Sequence, residues 1–174
     1  MSKTSALLAK ARTGGQLNYV VVDPVLSNAD NLASRERGNW IPIRPGTDGA
    51  LGMAMIRWII DEKRYDAAYL SYPNKAVALA GGEPSSSNAT HLVIRQPEHP
   101  RFGRFLRASD MGWITFDNEE ERYGETDGFV VLPAGQTVPV AHHAATGAAE
   151  LEYTGPLEVA GKPLMVATSF SLVA

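Results

Sequence analysis

The stretch from Trp40 to Arg64, WIPIRPGTDGALGMAMIRWIIDEKR, constrains the fold of this chain more than any other. It opens with Ile41 to Ile43, a β-favouring segment that Pro42 interrupts, so the strand should be short or lie at a sheet edge. A turn follows at Pro45 and Gly46, because proline fixes its own φ and glycine accepts a left-handed backbone. The order predicts a strand, a tight turn and then a helix.

The predicted helix after this turn carries apolar residues on most of its surface. Thr47 or Asp48 is the expected cap, because either side chain can accept a bond from a free N–H of the first turn. Little polar surface remains along the helix, so we expect it to be mostly buried. Its apolar residues are Leu51, Met53, Ala54, Met55, Ile56, Trp58, Ile59 and Ile60.

The N-terminus of this helix is a candidate binding site for an anion. Free N–H groups and the positive end of the helix dipole attract negative charge, and Arg44 adds a fixed fork of donors. Asp48 would repel a bare phosphate, but its carboxylate suits a phosphate ligand that also offers a donor edge, such as guanine N1 and N2. The alternative, which the spacing alone favours, is that Asp48 only caps the helix.

An earlier apolar strand, Leu17 to Val22, ends in the pair Asp23-Pro24. An uninterrupted apolar run is typical of a parallel strand that is covered on both faces. Helix, strand, loop, strand, helix is an α/β order, and ligands in such sheets bind beyond the carboxyl ends of the strands. Asp23 lies at that position, although an Asp-Pro pair is equally a turn-forming sequence.

Two motifs together, VVVDP at Val20 to Pro24 and IRPGTDGAL at Ile43 to Leu51, carry a family resemblance. They resemble the molybdopterin-guanine-dinucleotide oxidoreductases of the dimethyl-sulfoxide-reductase superfamily. Within it, NWIPIRPGTDGALGMAMIRWII and HLVIRQPEHPRFGRFLRASDMGW are most similar to the catalytic subunits of tetrathionate reductases. The respiratory arsenate reductases are the nearest alternative.

The resemblance implies a set of cofactor-binding residues. The Asp-Pro pair would line the nucleotide end of the cofactor, with a small hydroxyl residue following it, and the Arg-Pro-Gly-Thr-Asp turn would hold the guanosine and its phosphates. Many relatives have arginine directly after Asp-Pro, where this chain has Val25, a departure that affects one phosphate contact. The implied cofactor-binding residues are Asp23, Pro24, Ser27, Arg44, Gly46, Thr47 and Asp48.

The resemblance also implies what the intact enzyme would contain. The chain would be a fragment of a catalytic subunit that holds molybdenum with two molybdopterin guanine dinucleotides (bis-MGD), and it would be inactive in isolation. An iron–sulfur cluster would lie in an N-terminal part outside this chain. The intact periplasmic enzyme would reduce tetrathionate to thiosulfate in anaerobic respiration, with electrons from an iron–sulfur subunit together with a membrane quinol-oxidising subunit. The alternatives are a fragment of an arsenate or other oxyanion reductase, or a stand-alone nucleotide-binding or interaction module.

Composition excludes several functions for this chain. It has no cysteine, which excludes disulfides, thiolate metal ligands and iron–sulfur ligation within it. The net charge of -3 gives no electrostatic case for nucleic acid, and no apolar run is long enough for direct membrane insertion. His142 and His143 would point to opposite faces of a strand, so we expect no shared metal ion. No arrangement of catalytic residues is evident, so none is assigned.

The segment Pro97 to Arg107 interleaves basic and aromatic residues. Such a pattern can bind single-stranded nucleic acid, but the acidic net charge argues against that here. We expect a loop or short helix that faces another part of the parent subunit. A weaker alternative is that the arginines attract an oxyanion substrate.

The whole chain is predicted to be α/β, a partial Rossmann-like molybdopterin-cofactor-binding domain with a β-rich C-terminal part. Residues 1–110 would form the α/β cofactor-binding segment and residues 111–174 a β-rich extension of the same domain. Asp66 to Tyr69 should be a short helix, Ala76 to Gly82 extended and His91 to Arg95 a strand. Later short strands are expected at Trp113 to Phe116, Phe129 to Leu132, Thr137 to Val140, Leu151 to Thr154, Leu157 to Val159 and Leu164 to Phe170.

Overall fold

The computed structural model describes residues 6–7, 10–11, 13–15, 17, 20–25, 40–115 and 127–174. The chain divides into two compact units, residues 1–58 and residues 59–174. The predicted boundary at residue 110 concerned two parts of one domain and stays a prediction, as does the Rossmann-like character of the α/β part.

The first unit contains a small parallel sheet. Strand β1 (Val21–Val22) pairs with strand β2 (Trp40–Ile41), and Val22 lies opposite Ile41. Both strands are shorter than the apolar segments from which they were predicted. Pro42 ends β2 because its ring leaves no N–H for the ladder. The parallel pairing places the carboxyl ends of both strands at the same edge of the sheet.

The predicted turn and helix after β2 are confirmed. The Thr47 N–H donates to the Arg44 carbonyl oxygen at 3.2 Å, and Gly46 has a φ of 78°. With Pro45 at the second position, this is a type II turn, which requires a left-handed residue where Gly46 stands. Helix α1 (Asp48–Asp61) begins directly after the turn. The capping bond expected at Thr47 or Asp48 stays a prediction.

The expectation that α1 is mostly buried is wrong for this chain. None of its residues is buried, and the exposed fraction is 58% for Met53 and 51% for Trp58. Among the described residues the sheet of this unit has two strands of two residues each, which is too little apolar surface to cover a helix of 14 residues. Neither α1 nor any other helix of the described residues has the length and apolar character needed to cross a membrane.

The second unit is built on a three-stranded antiparallel sheet in the order β3-β7-β6. Its strands are β3 (Leu92–Ile94), β6 (Thr154–Val159) and β7 (Lys162–Thr168), and β4 (Val130–Val131) pairs separately with β5 (Val140–Ala141). The sheet therefore draws strands from both sides of residue 110.

The strand predictions for the second unit are largely confirmed in position. The predicted strand Leu157 to Val159 lies within β6, whereas residues 113–115 and 151–153, which were also predicted as strand, are not in one. The β6–β7 hairpin closes through Ala160 and Gly161, both of which have positive φ, as a two-residue hairpin turn requires. The predicted last strand stops at Thr168, and a 3₁₀ turn, Phe170–Leu172, follows it.

The apolar core of the second unit lies against β3, β4, β6 and β7. Inward-facing residues of these strands meet residues of the loop that follows β3. Most members are fully buried, so this cluster supplies the main hydrophobic stabilisation of the unit. Its members are Leu92, Ile94, Leu106, Met111, Val130, Leu157, Leu164 and Val166.

Two short helices precede β3. Helix α2 (Ala67–Leu70) is confirmed, with the Asp66 carboxylate accepting from the Tyr69 N–H at the N-terminus. Helix α3 (Lys75–Ala80) corrects the extended conformation expected there. Asn74 explains the difference, because its side-chain oxygen accepts from the Val77 N–H while its amide donates to the carbonyl oxygens of His142 and Ala145. Hydrogen bonds to residues distant in the sequence thus fix the start of α3.

Candidate functional site

Asp23 lies at the carboxyl end of β1 and is fastened to β2. Its backbone N–H donates to the Ile41 carbonyl oxygen at 3.3 Å, and its own carbonyl oxygen accepts from the Trp40 indole N–H at 2.9 Å. Its Oδ1 atom accepts from the Val25 N–H at 2.9 Å, which makes an Asx turn. The position therefore forms the turn that the Asp-Pro pair predicted, at the sheet edge where a ligand would bind.

The turn before α1 holds the other candidate cofactor-binding residues. The Thr47 hydroxyl donates to the Arg44 carbonyl oxygen at 2.6 Å, which braces the turn. Asp48 is the first residue of α1, so its carboxylate lies at the positive end of that helix. Arg44, Gly46 and Asp48 are exposed. A Cβ added at Gly46 would meet no atom of the described residues within 4 Å, so this part of the structure leaves the backbone there open to a ligand.

The parallel register brings the two groups of candidate residues to one edge of the sheet. Asp23 and Pro24 follow β1, and Arg44 to Asp48 follow β2 after a short connection. Ser27 lies outside the described residues. The assembled edge offers a guanidinium, free N–H donors of a helix start and two carboxylates, which suits a ligand with both phosphate and donor groups.

A separate cleft of about 760 Å³ lies in the second unit, and we refer to it as the arginine cleft. It is formed by the loop between β3 and residue 110, together with one side chain that directly precedes β4. Three guanidinium groups line it, which makes it a concentration of positive charge in an acidic chain. Its lining residues are His99, Pro100, Arg101, Arg104, Phe105, Arg107, Asp110 and Phe129.

Two buried carboxylates hold arginines of this cleft in place. Asp110 forms an ion pair with Arg101 and also accepts from the Arg107 backbone N–H at 2.9 Å. The Asp127 side chain is fully buried, and its Oδ2 atom lies 3.9 Å from Nη1 of Arg107. The Arg107 guanidinium also lies over the Phe129 ring, 4.7 Å from its centroid. Two of the guanidinium groups are therefore fixed by several contacts each.

A cluster of histidine rings packs behind the arginine cleft. The His91 ring lies 5.0 Å from the Phe129 centroid and 5.3 Å from that of His142. His142 and His143 lie in a 3₁₀ turn that directly follows β5. A Cβ at Gly128 would come within 2.7 Å of the His143 ring, so a larger residue there would displace that ring. The turn forms because Ala141 ends β5 and the His142 N–H donates to the Phe129 carbonyl oxygen.

No family model matches the chain, but individual known proteins do. A tetrathionate reductase subunit of Salmonella typhimurium is 51% identical over 113 residues, covering 65% of this chain and 11% of that protein. A selenate reductase subunit of Mesobacillus selenatarsenatis is 38% identical over 126 residues, covering 72% of this chain and 11% of that protein.

The chain corresponds to one segment of a molybdenum oxidoreductase catalytic subunit. A tetrathionate reductase subunit of Archaeoglobus fulgidus is 33% identical over 142 residues, covering 75% of this chain and 12% of that protein. The chain thus spans about a ninth of the length of these relatives. The predicted resemblance to tetrathionate reductase catalytic subunits is confirmed.

Several residues that shape the arginine cleft were not found by sequence analysis. Asp110, Asp127 and Phe129 were not singled out, although Arg101, Arg104 and Arg107 were. The contact between Arg107 and Asp127 joins residues 20 positions apart in the sequence, and no local pattern signals such a pair. Only the spacing of the arginines was visible in the sequence.

This segment should lose stability in mild acid because of His91. Burial lowers the pKa of His91 to about 4, from an ordinary value of about 6.5. Its Nδ1 atom is buried without a hydrogen-bond partner among the described residues, and burial also lowers the pKa of nearby His142. The unfolded state therefore binds more protons, so stability is full above pH 6.5 and falls as the pH drops towards 4.

Urea denaturation at pH 7 and pH 5 tests this prediction. Between them the free energy of unfolding should fall by about 2 kcal/mol through His91 alone. The variant His91→Phe keeps a ring against Phe129 and should remove most of this loss. Equal acid sensitivity in the variant and the wild type would show that other groups cause it.

Proposed function

We propose that this segment supplies guanosine-end contacts to a molybdopterin guanine dinucleotide in a tetrathionate-reducing catalytic subunit. The supporting observation is the shared edge of the parallel sheet, where Asp23 and the turn before α1 meet. The names of two relatives with matching segments support tetrathionate as the substrate of the intact enzyme. In that enzyme tetrathionate would be reduced to thiosulfate.

The residues at this edge would bind and orient the nucleotide. The N–H groups at the start of α1 and the Arg44 guanidinium would attract the phosphates. The Asp48 carboxylate would accept from the N1 and N2 hydrogens of guanine, which adenine does not present. The open backbone at Gly46 would allow the ligand to approach closely. When bound, the cofactor supplies the redox chemistry at molybdenum.

The intact enzyme would work as a multisubunit assembly. The remainder of the catalytic subunit would complete the cofactor site and bind an iron–sulfur cluster. Electrons would reach it from an iron–sulfur subunit together with a membrane quinol-oxidising subunit, and the assembly would act in the periplasm. The isolated segment would have no redox activity.

A second candidate substrate is another oxyanion. One relative is named a selenate reductase, which supports an oxyanion other than tetrathionate, and arsenate remains the alternative from sequence resemblance. A stand-alone nucleotide-binding module is the candidate from a different functional class. It predicts no preference for guanine over adenine, so nucleotide choice separates it from the main proposal.

A thermal-shift titration with GDP and ADP tests the guanosine site in the 174-residue chain. GDP should raise the melting temperature and ADP should not. At about ten times the dissociation constant, the expected stabilisation is about 1.4 kcal/mol, or a few degrees. The variant Asp48→Ala should lose the response because the acceptor for the guanine edge is removed.

Glu62→Ala is a matched control, because it removes an exposed carboxylate just beyond the other end of α1. It should respond to GDP as the wild type does. An equal response to GDP and ADP, or a full GDP response in Asp48→Ala, would contradict the assignment of Asp48. The absence of any response would show that this segment alone does not form the pocket.

A further inference from the structure

The arginine cleft is a second positively charged site that the nucleotide-binding edge does not use. It lies in the second unit, whereas Asp23 and the turn before α1 lie in the first. The cleft is positively charged, whereas the chain has a formal net charge of -3. A concave site of opposite sign to the whole protein is suited to concentrating an anionic ligand.

The cleft carries its positive charge in a fixed arrangement. The side chains of Arg101 and Asp110 are only 22% and 5% exposed, so their ion pair is partly withdrawn from solvent. The Arg101 guanidinium also donates to the Phe105 carbonyl oxygen at 3.2 Å. Arg107 donates to the Asp127 carbonyl oxygen at 3.1 Å. Guanidinium groups held in this way lose little side-chain entropy when a ligand arrives.

Arg104 gives the cleft a positive charge that the carboxylates of Asp110 and Asp127 do not neutralise. Asp110 and Asp127 oppose Arg101 and Arg107, which leaves the described lining with a net positive charge. Arg104 is exposed at the rim of the cleft. His99 adds a donor, because its Nδ1 atom accepts from the Arg101 backbone N–H at 3.1 Å and a neutral ring then carries its proton on Nε2.

We propose that the arginine cleft binds a doubly charged sulfur or selenium oxyanion. The exposed Arg104 guanidinium can present its fork to a pair of oxyanion oxygens, while Arg101 and Arg107 contribute positive charge beside it. The inference rests on the proposed function, because tetrathionate and selenate, which appear in the names of relatives, both belong to this ligand class. Within the intact enzyme the cleft would hold the oxyanion before or during its approach to the catalytic centre.

Selenate is the probe for the test, and the side-chain Nε–H signals of arginine in NMR are the readout. The 174-residue chain is titrated at a constant low ionic strength of about 20 mM, because salt screens exposed charges. Selenate should cause saturable shifts of the cleft arginine signals. Arg104→Gln should weaken binding about fivefold, and Arg104→Lys by less, because lysine keeps the charge but not the fork.

Lys162→Gln is the matched control, because it removes the same charge from an exposed position of the same unit. It should leave selenate binding within about twofold of the wild type. Shifts that never saturate, or equal weakening in Arg104→Gln and Lys162→Gln, would show that selenate acts only by general screening of surface charge. Either result would overturn the proposal.

A pyrophosphate titration distinguishes between two anions that the cleft could bind, the phosphates of a nucleotide and a substrate oxyanion. Binding of pyrophosphate about tenfold tighter than selenate would assign the cleft to the phosphates of a nucleotide and overturn the proposal of a substrate oxyanion. Comparable or weaker binding of pyrophosphate would support it. The GDP response depends on Asp48 in the other unit, so failure of either proposal can be recognised separately.

Discussion

Leu92→Ala should lower the free energy of unfolding of the second unit by about 4 kcal/mol. Leu92 is fully buried on β3, and its side chain belongs to the main apolar cluster of that unit. Alanine would remove apolar contacts and leave a cavity that the surrounding strands cannot close, because β3 is paired with β7 and its Leu92 carbonyl oxygen accepts from the Leu106 N–H.

Urea denaturation followed by far-ultraviolet circular dichroism measures this loss. Leu79→Ala is the matched control, because Leu79 is 57% exposed on α3 and the same atoms are removed. It should change the free energy of unfolding by less than about 0.5 kcal/mol. Similar losses in the two variants would show that the cluster around β3 is not the stabilising core.

Asp127→Ala should cost about 3 kcal/mol, the second large effect. The Asp127 carboxylate is buried and accepts from the N–H and the hydroxyl of Ser109, both at 2.9 Å. Alanine would leave these donors without their acceptor and remove the negative charge beside Arg107. The loss exceeds that of a surface ion pair because the carboxylate is shielded from water.

Asp127→Asn provides the informative comparison for this position. Asparagine keeps the shape and one acceptor oxygen but removes the charge, so it should cost less than alanine, about 1 to 2 kcal/mol. Glu158→Ala, at an exposed position of β6, should have almost no effect. Equal free energies of unfolding for Asp127→Ala and Glu158→Ala would contradict the role assigned to the buried carboxylate.

The features that sequence analysis predicted correctly are those whose cause lies within a few residues. Pro45 and Gly46 specify a type II turn by their own backbone preferences, and α1 begins directly after it. Asp66 begins α2 because its side chain reaches an N–H three residues ahead. The family resemblance rests on the same local motifs, which is why it could be recognised without a structure.

The features that were predicted wrongly depend on partners distant in the sequence. The apolar face of α1 was expected to be buried, but apolar periodicity does not show whether a covering surface is present in the same chain. Residues 76–82 were expected to be extended, and Asn74 instead starts a helix while its amide bonds a loop some 70 positions away.

The sequence by itself determined the family of this segment, the turn before α1 and the residues that form the candidate nucleotide-binding edge. Only the tertiary structure decided that Asp110 and Asp127 hold Arg101 and Arg107 around a cleft, and that His91 is buried with a ring nitrogen that has no hydrogen-bond partner among the described residues. The physical reason is the distance along the chain over which each interaction acts. Backbone preferences act between neighbours, whereas burial and ion pairing depend on which distant segments the fold brings together.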